Sequence, residues 1–150
     1  MRKPDAVFVT FIAATPQAVW DLLTDKARSP QFFFGYVMSV GGAAGEPFTV
    51  TRADGTPDVA GKVLVHEPPH RLRVSWDMVA MPDVPTAELE FLLEPVDDVV
   101  RLTIRQFDGG PISDSFVEAG REGWSLIQAS LKTLLETGRP LPPIKPRPPQ

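Results

Sequence analysis

The sequence predicts an α+β fold in which a curved antiparallel sheet wraps around one long C-terminal helix. Residues 113–138 carry apolar side chains at helical spacing, whereas residues 36–107 alternate apolar and polar side chains in short runs broken by Gly, Pro and Asp. The outer faces of the strands are half polar and can face water. Only the inner side of the sheet therefore needs a cover, and the long helix can supply it. We therefore expect one domain over residues 1–138, followed by a proline-rich, extended or disordered tail over residues 139–150.

The first elements are a strand and a short helix. Residues 5–13 contain β-branched and aromatic side chains in a run too short for a helix, which indicates a strand. Thr15 and Pro16 match an N-cap and the proline favoured in a first helical turn, so a short amphipathic helix is predicted from there to about Asp25. Three consecutive phenylalanines follow within residues 31–36. Core packing is the default role of such a cluster, and a cavity wall is the alternative.

A hairpin centred on residues 97–98 has the best-defined register of the predicted sheet. Pairing about that centre places four pairs opposite each other: Glu94 with Arg101, Glu90 with Arg105, Phe91 with Ile104, and Leu93 with Leu102. The charged pairs fall on one face and the apolar pairs on the other. Charge and hydrophobicity therefore favour the same register.

A second hairpin is predicted to turn at residues 68–71. Its expected register sets Lys62 opposite Asp77 on the outer face, with two apolar pairs on the inner face. Those inner pairs are Val63 with Trp76 and Val65 with Val74. The preceding turn, over residues 53–58, contains Asp-Gly but also a proline, so its register stays open.

The long C-terminal helix has signals at both ends. Ser115 and Glu118 have the spacing of a capping box, Gly138 suits a left-handed C-terminal cap, and Pro140 prevents continuation. Its inward stripe is apolar, and its other face is polar. The stripe comprises Phe116, Val117, Gly120, Trp124, Ile127, Leu131, Leu134 and Leu135.

Composition excludes several classes of protein. The chain has no cysteine, which excludes disulfides and cysteine-ligated metal sites, and a net charge of −4 without a basic block argues against nucleic-acid binding. No apolar run approaches the roughly 20 residues of a spanning helix, so we expect no membrane insertion. The N-terminal residues do not form a signal-peptide pattern, and we expect a cytoplasmic protein, as a monomer or weak homodimer.

Three segments resemble the START-like (SRPBCC) helix-grip superfamily, and within it the branch of heat-shock-protein-90 ATPase activator homologues. "TPQAVWDLLTD" resembles the first helix of that branch, "GKVLVHEPPHRLRVSW" is similar to a strand pair, and "GREGWSLIQASLKTLLETG" is similar to the C-terminal helix. The resemblance implies a helix-grip fold with two short helices between the first two strands. The superfamily includes lipid carriers, hormone receptors, polyketide cyclases and co-chaperone domains, so the resemblance leaves function open.

The resemblance also implies an apolar cavity between the curved sheet and the long helix. Its expected lining is Val74, Trp76, Met78, Leu89, Phe91, Leu93, Leu102, Ile104, Gln106, Trp124, Ile127 and Leu131. The alternative is a filled core made of the same apolar residues. Gln106 bears on this question because the predicted register points it inward, where an amide needs partners or a ligand. The loops at residues 78–86 and 107–114 are candidates for the cavity mouth.

Candidates for catalysis and metal binding are few. His66 and His70 are the only histidines; His70 lies in a predicted turn, and His66 is expected to face outward near Arg73. The sequence has no GxSxG, Walker, GxGxxG or HExxH motif, and we expect neither cofactor nor metal.

Three hypotheses about function follow. The preferred one is non-catalytic binding of a small apolar or amphipathic ligand in the cavity. The second is a stress-related protein-interaction module, co-chaperone-like, that would act through an exposed apolar patch or the tail cations Arg139, Lys145 and Arg147. The third is a cyclase-like or hydrolase-like enzyme, which would need a titratable group inside the cavity.

Overall fold

Seven strands and two α-helices make up the computed structural model, which describes residues 2–145. In chain order they are β1 Ala6–Ile12, α1 Pro16–Leu23, β2 Val37–Val40, β3 Pro47–Thr51, β4 Pro57–Glu67, β5 Arg71–Met78, β6 Ala87–Val96, β7 Val99–Phe107 and α2 Asp114–Thr137. A single 3-10 turn, Ser29–Gln31, follows α1 and is the second of the two short helical segments. Residues 139–145 contain no helix or strand, and the rest of the predicted tail lies outside the described residues.

One antiparallel sheet contains all seven strands in the order β1-β7-β6-β5-β4-β3-β2. Strands β2 to β7 therefore form a continuous meander, and β1 joins it beside β7. The sheet is curved, and α2 lies across its concave face, so the predicted fold class is confirmed. Inward side chains from both layers form one core, which includes Phe48, Phe91, Leu102 and Leu131.

The register of the β6–β7 hairpin is confirmed in all four predicted pairs: Glu94 with Arg101, Glu90 with Arg105, Phe91 with Ile104, and Leu93 with Leu102. Asp97 adopts a left-handed backbone conformation at the turn, with a φ of 51°. Aspartate is one of the few non-glycine residues that visit this region routinely. The turn therefore forms without the glycine that is common at this position.

The predicted register of the β4–β5 hairpin is wrong. Asp77 pairs with Ala60 rather than Lys62, Val63 pairs with Val74 rather than Trp76, and Val65 pairs with Arg73 rather than Val74. The pairing next to the turn is already displaced by one residue from the predicted register. A bulge between Val63 and Val65 then places one more residue on β4 than on β5 and displaces the rest of the hairpin by a second residue.

The bulge also reverses the expected orientation of His66. The ring of His66 packs edge-on against Trp20 of α1, at a centroid distance of 5.4 Å, instead of facing outward near Arg73. Trp20 is itself buried in the core.

Local signals set the ends of both helices. Thr15 caps α1 by accepting a hydrogen bond from the backbone N–H of Ala18 at 3.1 Å. Ser113 caps α2 by accepting from the N–H of Phe116 at 3.2 Å, so the predicted cap at Ser115 is two residues late. Gly138 ends α2 in the left-handed conformation, with a φ of 76°, as predicted.

Side chains of α2 also bond to backbone groups of β1 and β7. The carboxamide of Gln128 donates to the carbonyl oxygens of Phe8 and Leu102 at 3.0 and 3.2 Å. The ammonium group of Lys132 donates to the carbonyl of Phe11 at 2.6 Å. These hydrogen bonds anchor the helix to this end of the sheet. The bond from Lys132 also occupies a backbone oxygen of the edge strand β1, where unpaired groups could pair with other chains.

No helix among the described residues is long and apolar enough to cross a membrane.

Candidate functional site

A cavity of about 420 Å³ lies between the N-terminal half of α2 and the sheet. Its inner end is bounded by strand residues such as Leu89 and Trp76. Its outer end is bounded by the loops on either side of β6 and β7, which contribute Met81, Val84, Pro85, Asp108 and Ile112. Both loops that were predicted at the mouth therefore lie at the cavity.

The wall formed by α2 contains small side chains where a filled core would need large ones. Its residues follow one face of the helix at steps of three and four: Phe116, Ala119, Gly120, Gly123, Trp124 and Ile127. A methyl group added at Gly120 would meet no atom within 4 Å, and one added at Gly123 would touch only the ring of Phe34, at 3.8 Å. The helix backbone is therefore part of the cavity surface.

Aromatic rings form much of the remaining wall. Trp76 of β5 and Trp124 of α2 both line the cavity and are in edge-to-face contact with each other, with ring centroids 5.3 Å apart. Phe33 lies 6.1 Å from each of these two rings, and Phe34 lies 5.8 Å from Phe33. The phenylalanine cluster after α1 thus serves both predicted roles, because Phe32 is buried in the core while Phe33 and Phe34 line the cavity.

One polar group at the cavity is an ion pair between the end of β3 and the start of β4. The Nε and Nη2 atoms of Arg52 both donate to Oδ1 of Asp58, at 3.3 and 3.1 Å. Hydrogen bonding to Asp58 raises the pKa of Arg52 above its ordinary value, so the guanidinium group stays charged. Tyr36 lies on the same part of the lining.

The second polar group lies where β7 leads into α2. Gln106 is half-buried and lines the cavity, and its Nε2 donates to Oδ1 of Asp108 at 2.7 Å. The backbone N–H of Asp108 in turn donates to the carboxylate of Asp5 at 2.8 Å. These bonds hold the Asp108 carboxylate in place beside the apolar wall.

The structure separates the twelve residues of the predicted lining into two groups. Six of them line the cavity: Trp76, Met78, Leu89, Gln106, Trp124 and Ile127. The other six are fully buried in the packed core: Val74, Phe91, Leu93, Leu102, Ile104 and Leu131. The cavity therefore lies beside the N-terminal part of α2, and the part of the helix beyond Ile127 covers solid core.

Several lining residues were not found by sequence reasoning. Tyr36 lies immediately before β2, Arg52 follows β3, and Asp58 lies in β4. The last two flank the turn whose register the sequence left open. The opposite charges of Arg52 and Asp58 on either side of an Asp-Gly turn were the available signal. Gly120 was placed in the apolar stripe, but nothing in its periodicity showed that its missing side chain opens a space.

The titratable groups of the lining are the two aspartates, Arg52 and Tyr36, rather than a histidine. Each aspartate already accepts a hydrogen bond from a neighbouring side chain. His70 lies in the β4–β5 connection, with its Nδ1 3.4 Å from the carbonyl oxygen of Leu93. Within residues 2–145, no group of three or more His, Asp or Glu side chains is arranged to hold a metal ion.

A family model described as "Activator of Hsp90 ATPase homolog 1-like protein" matches residues 13–136. The chain belongs to this family. The match runs from the end of β1 almost to the end of α2, so it includes every element that lines the cavity. No curated protein matches the chain.

Solved structures share the fold at low sequence identity. DynU16, a protein in the dynemicin biosynthetic locus, is 24% identical with a TM-score of 0.74; the alignment covers 89% of this chain and 48% of DynU16. This chain thus spans about half the length of that protein. The Aha1 dimer from Colwellia psychrerythraea is 20% identical with a TM-score of 0.71, covering 88% and 96% of the two chains. An Hsp90 activator from Plasmodium falciparum is 14% identical with a TM-score of 0.72, covering 89% and 97%.

Proposed function

We propose that this protein binds a small, largely apolar molecule in the cavity between α2 and the sheet, without catalysing a reaction. The observation that carries the proposal is the space itself. Its volume of about 420 Å³ falls within the range of roughly 300–1,000 Å³ that is typical of small-molecule sites. A few convergent polar groups in a mostly apolar and aromatic lining are also typical of such sites.

The small side chains on α2 support this proposal. Glycine inside a helix is less favourable than alanine by roughly 0.5–1 kcal/mol, and α2 has two glycines on its cavity face. A helix selected only for stability would place larger residues there and fill the space. The glycines are explained if the space that they leave open is occupied by a ligand.

A matched pair of alanines on α2 provides the test. Ala119 lines the cavity, whereas Ala129 is exposed on the same helix. Titration with a neutral, environment-sensitive naphthalene dye should show saturable binding to the natural protein. Ala119→Phe should weaken that binding by about tenfold or more because the ring occupies the space, and Ala129→Phe should leave it unchanged. A folded protein that shows no saturable binding would contradict the proposal.

A second candidate function is action on an Hsp90-type chaperone, as the family description suggests. The observation that favours it is an exposed apolar strip on the outer face of β1. Val7, Val9 and Phe11 are each about half exposed, at 50%, 49% and 47%. Exposed apolar patches of this kind often mark protein contacts. Stimulation of an Hsp90 ATPase that Val9→Lys abolishes, while Ala119→Phe does not, would place the function on this strip instead of in the cavity.

A further inference from the structure

Three formally charged side chains line the cavity: Arg52, Asp58 and Asp108. One cation and two carboxylates sum to a single negative charge. The whole chain is also acidic, with a net charge of −4. The negative charge of the lining and the negative charge of the whole chain therefore both disfavour an anionic ligand at this site.

The one cation of the lining is already neutralised. Arg52 directs two nitrogens at the same oxygen of Asp58, at 3.1 and 3.3 Å. The Arg52 side chain is 44% exposed, whereas that of Asp58 is only 16% exposed. The carboxylate is thus the more deeply placed partner, and a ligand anion would have to compete with it for the guanidinium group.

Asp108 is the carboxylate of the lining that forms no ion pair within residues 2–145, whereas Asp58 is paired with Arg52. Its Oδ1 accepts one hydrogen bond, from Gln106 at 2.7 Å. Arg2 lies nearby, donating to the backbone oxygen of Asp108 at 2.6 Å, but it is paired with Asp5 at 2.8 Å and adds no net positive charge. An ionised carboxylate can accept several hydrogen bonds, so Asp108 suits a ligand that carries a donor group.

The body of the ligand is suggested by the aromatic walls. Trp76, Trp124 and Phe33 all line the cavity, and they pack against one another with centroids 5.3 to 6.1 Å apart. Aromatic rings favour offset or edge-to-face contacts with other rings, and their faces attract cations. A flat aromatic molecule with a hydroxyl or amine group satisfies both the walls and Asp108.

We infer that the cavity takes a neutral or cationic aromatic molecule that donates a hydrogen bond to Asp108, and that it selects against anionic amphiphiles such as fatty acids. This inference rests on the proposed binding function and names the chemical class of its ligand. Asp108 is then the specificity-determining residue, and Gln106 is the residue that positions it.

Three probes with the same ring system test the role of charge: naphthalenemethanol, which is neutral, naphthylmethylamine, which is cationic at neutral pH, and naphthoic acid, which is anionic. Their affinities are measured by calorimetry on the natural protein. The alcohol and the amine should each bind at least about tenfold more tightly than naphthoate. Naphthoate binding that equals or exceeds that of the other two overturns the inference while the cavity proposal stands. No binding by any of the three, nor by the neutral naphthalene dye, contradicts the cavity proposal itself.

Two isosteric variants test whether Asp108 causes the discrimination between the cationic and the anionic probe. Asp108→Asn should reduce the ratio of the amine affinity to the naphthoate affinity by about tenfold. Asp114→Asn makes the same change in net charge on an exposed aspartate in the first turn of α2 that does not line the cavity, and it should leave the difference intact. An equal effect in both variants would mean that overall charge, and not Asp108, sets the selectivity. The ranking of the three probes on the natural protein needs neither variant, so the inference is tested even if Asp108→Asn does not fold.

Discussion

The two halves of α2 show how one amphipathic helix can serve two purposes. From Phe116 to Trp124 its inward face carries glycine and alanine between aromatic residues and borders a cavity. Beyond Ile127 its inward face is packed, with Leu131 completely buried, and Gln128 ties it to the edge strand. The periodicity is the same in both halves, and only the size of the inward side chains differs. Side-chain volume, rather than hydrophobic pattern, therefore separates an open site from a packed core.

The largest expected effect contrasts a packed residue with a cavity residue of the same helix. Leu131→Ala should lower the free energy of unfolding by about 2–5 kcal/mol, because Leu131 is completely buried and its removal leaves a new void. Phe116→Ala should lower it by less, since Phe116 is half-buried beside a space that already exists. Urea unfolding of both variants checks the contrast. Equal losses would mean that the N-terminal half is packed as tightly as the C-terminal half.

A smaller effect is expected from the two glutamines at the sheet–helix interface. Gln128→Met should destabilise the protein by about 1–3 kcal/mol, because it removes the two hydrogen bonds to the carbonyl oxygens of Phe8 and Leu102. Gln106→Met should have a weaker effect on stability, because Gln106 is half-buried and bonds a carboxylate at the cavity. Thermal unfolding of the pair measures the difference. A larger loss of stability from Gln106→Met than from Gln128→Met would show that the hydrogen bond between Gln106 and Asp108 stabilises the fold.

The N-terminal half of α2, which borders the cavity, should tolerate larger side chains in place of its glycines. Gly120→Ala should raise the free energy of unfolding by about 0.5–1 kcal/mol, because alanine is favoured in helices and its methyl group meets no atom. Gly123→Ala should behave similarly, since its methyl group would make only an ordinary contact with Phe34. Destabilisation by Gly120→Ala, measured by urea unfolding, would show that the space above this residue is filled in solution.

The smallest effect concerns pH and the C-terminal end of α2. Hydrogen bonds from Lys132 and from the backbone N–H of Ala13 lower the pKa of Glu136 below its ordinary value. A lowered folded-state pKa contributes stability above the unfolded-state pKa, and that contribution disappears as the pH falls through the folded value. Glu136→Gln should therefore reduce stability at neutral pH slightly and flatten its loss in acid. Unfolding midpoints of both proteins across the acid range check this, and parallel curves would contradict it.

Local chemistry explains why much of the fold was predictable. The charge pairs that join Glu94 to Arg101 and Glu90 to Arg105 defined the β6–β7 register, because neighbouring strands place partners at fixed positions. The same reasoning failed for β4 and β5 for two reasons. The turn sets the strands one residue away from the predicted alignment, and a one-residue bulge between Val63 and Val65 has no reliable signature in a single sequence.

The candidate site was also predictable only in part. Trp76, Gln106 and Trp124 could be placed inward from strand and helix periodicity, which depends only on neighbours along the chain. Arg52 and Asp58 could not be placed there, because their position depends on how far the sheet curves towards α2.

The sequence by itself determined the element order, the inward face of α2, the β6–β7 register and the C-terminal cap of α2, because each depends on short-range spacing and turn chemistry. Only the tertiary structure decided where the inward face is filled and where it is open. Ile104 and Ile127 are both inward isoleucines, yet Ile104 is enclosed in the core and Ile127 borders the cavity. The physical reason is that a void is the difference between the space enclosed by two layers and the summed volume of all the side chains between them.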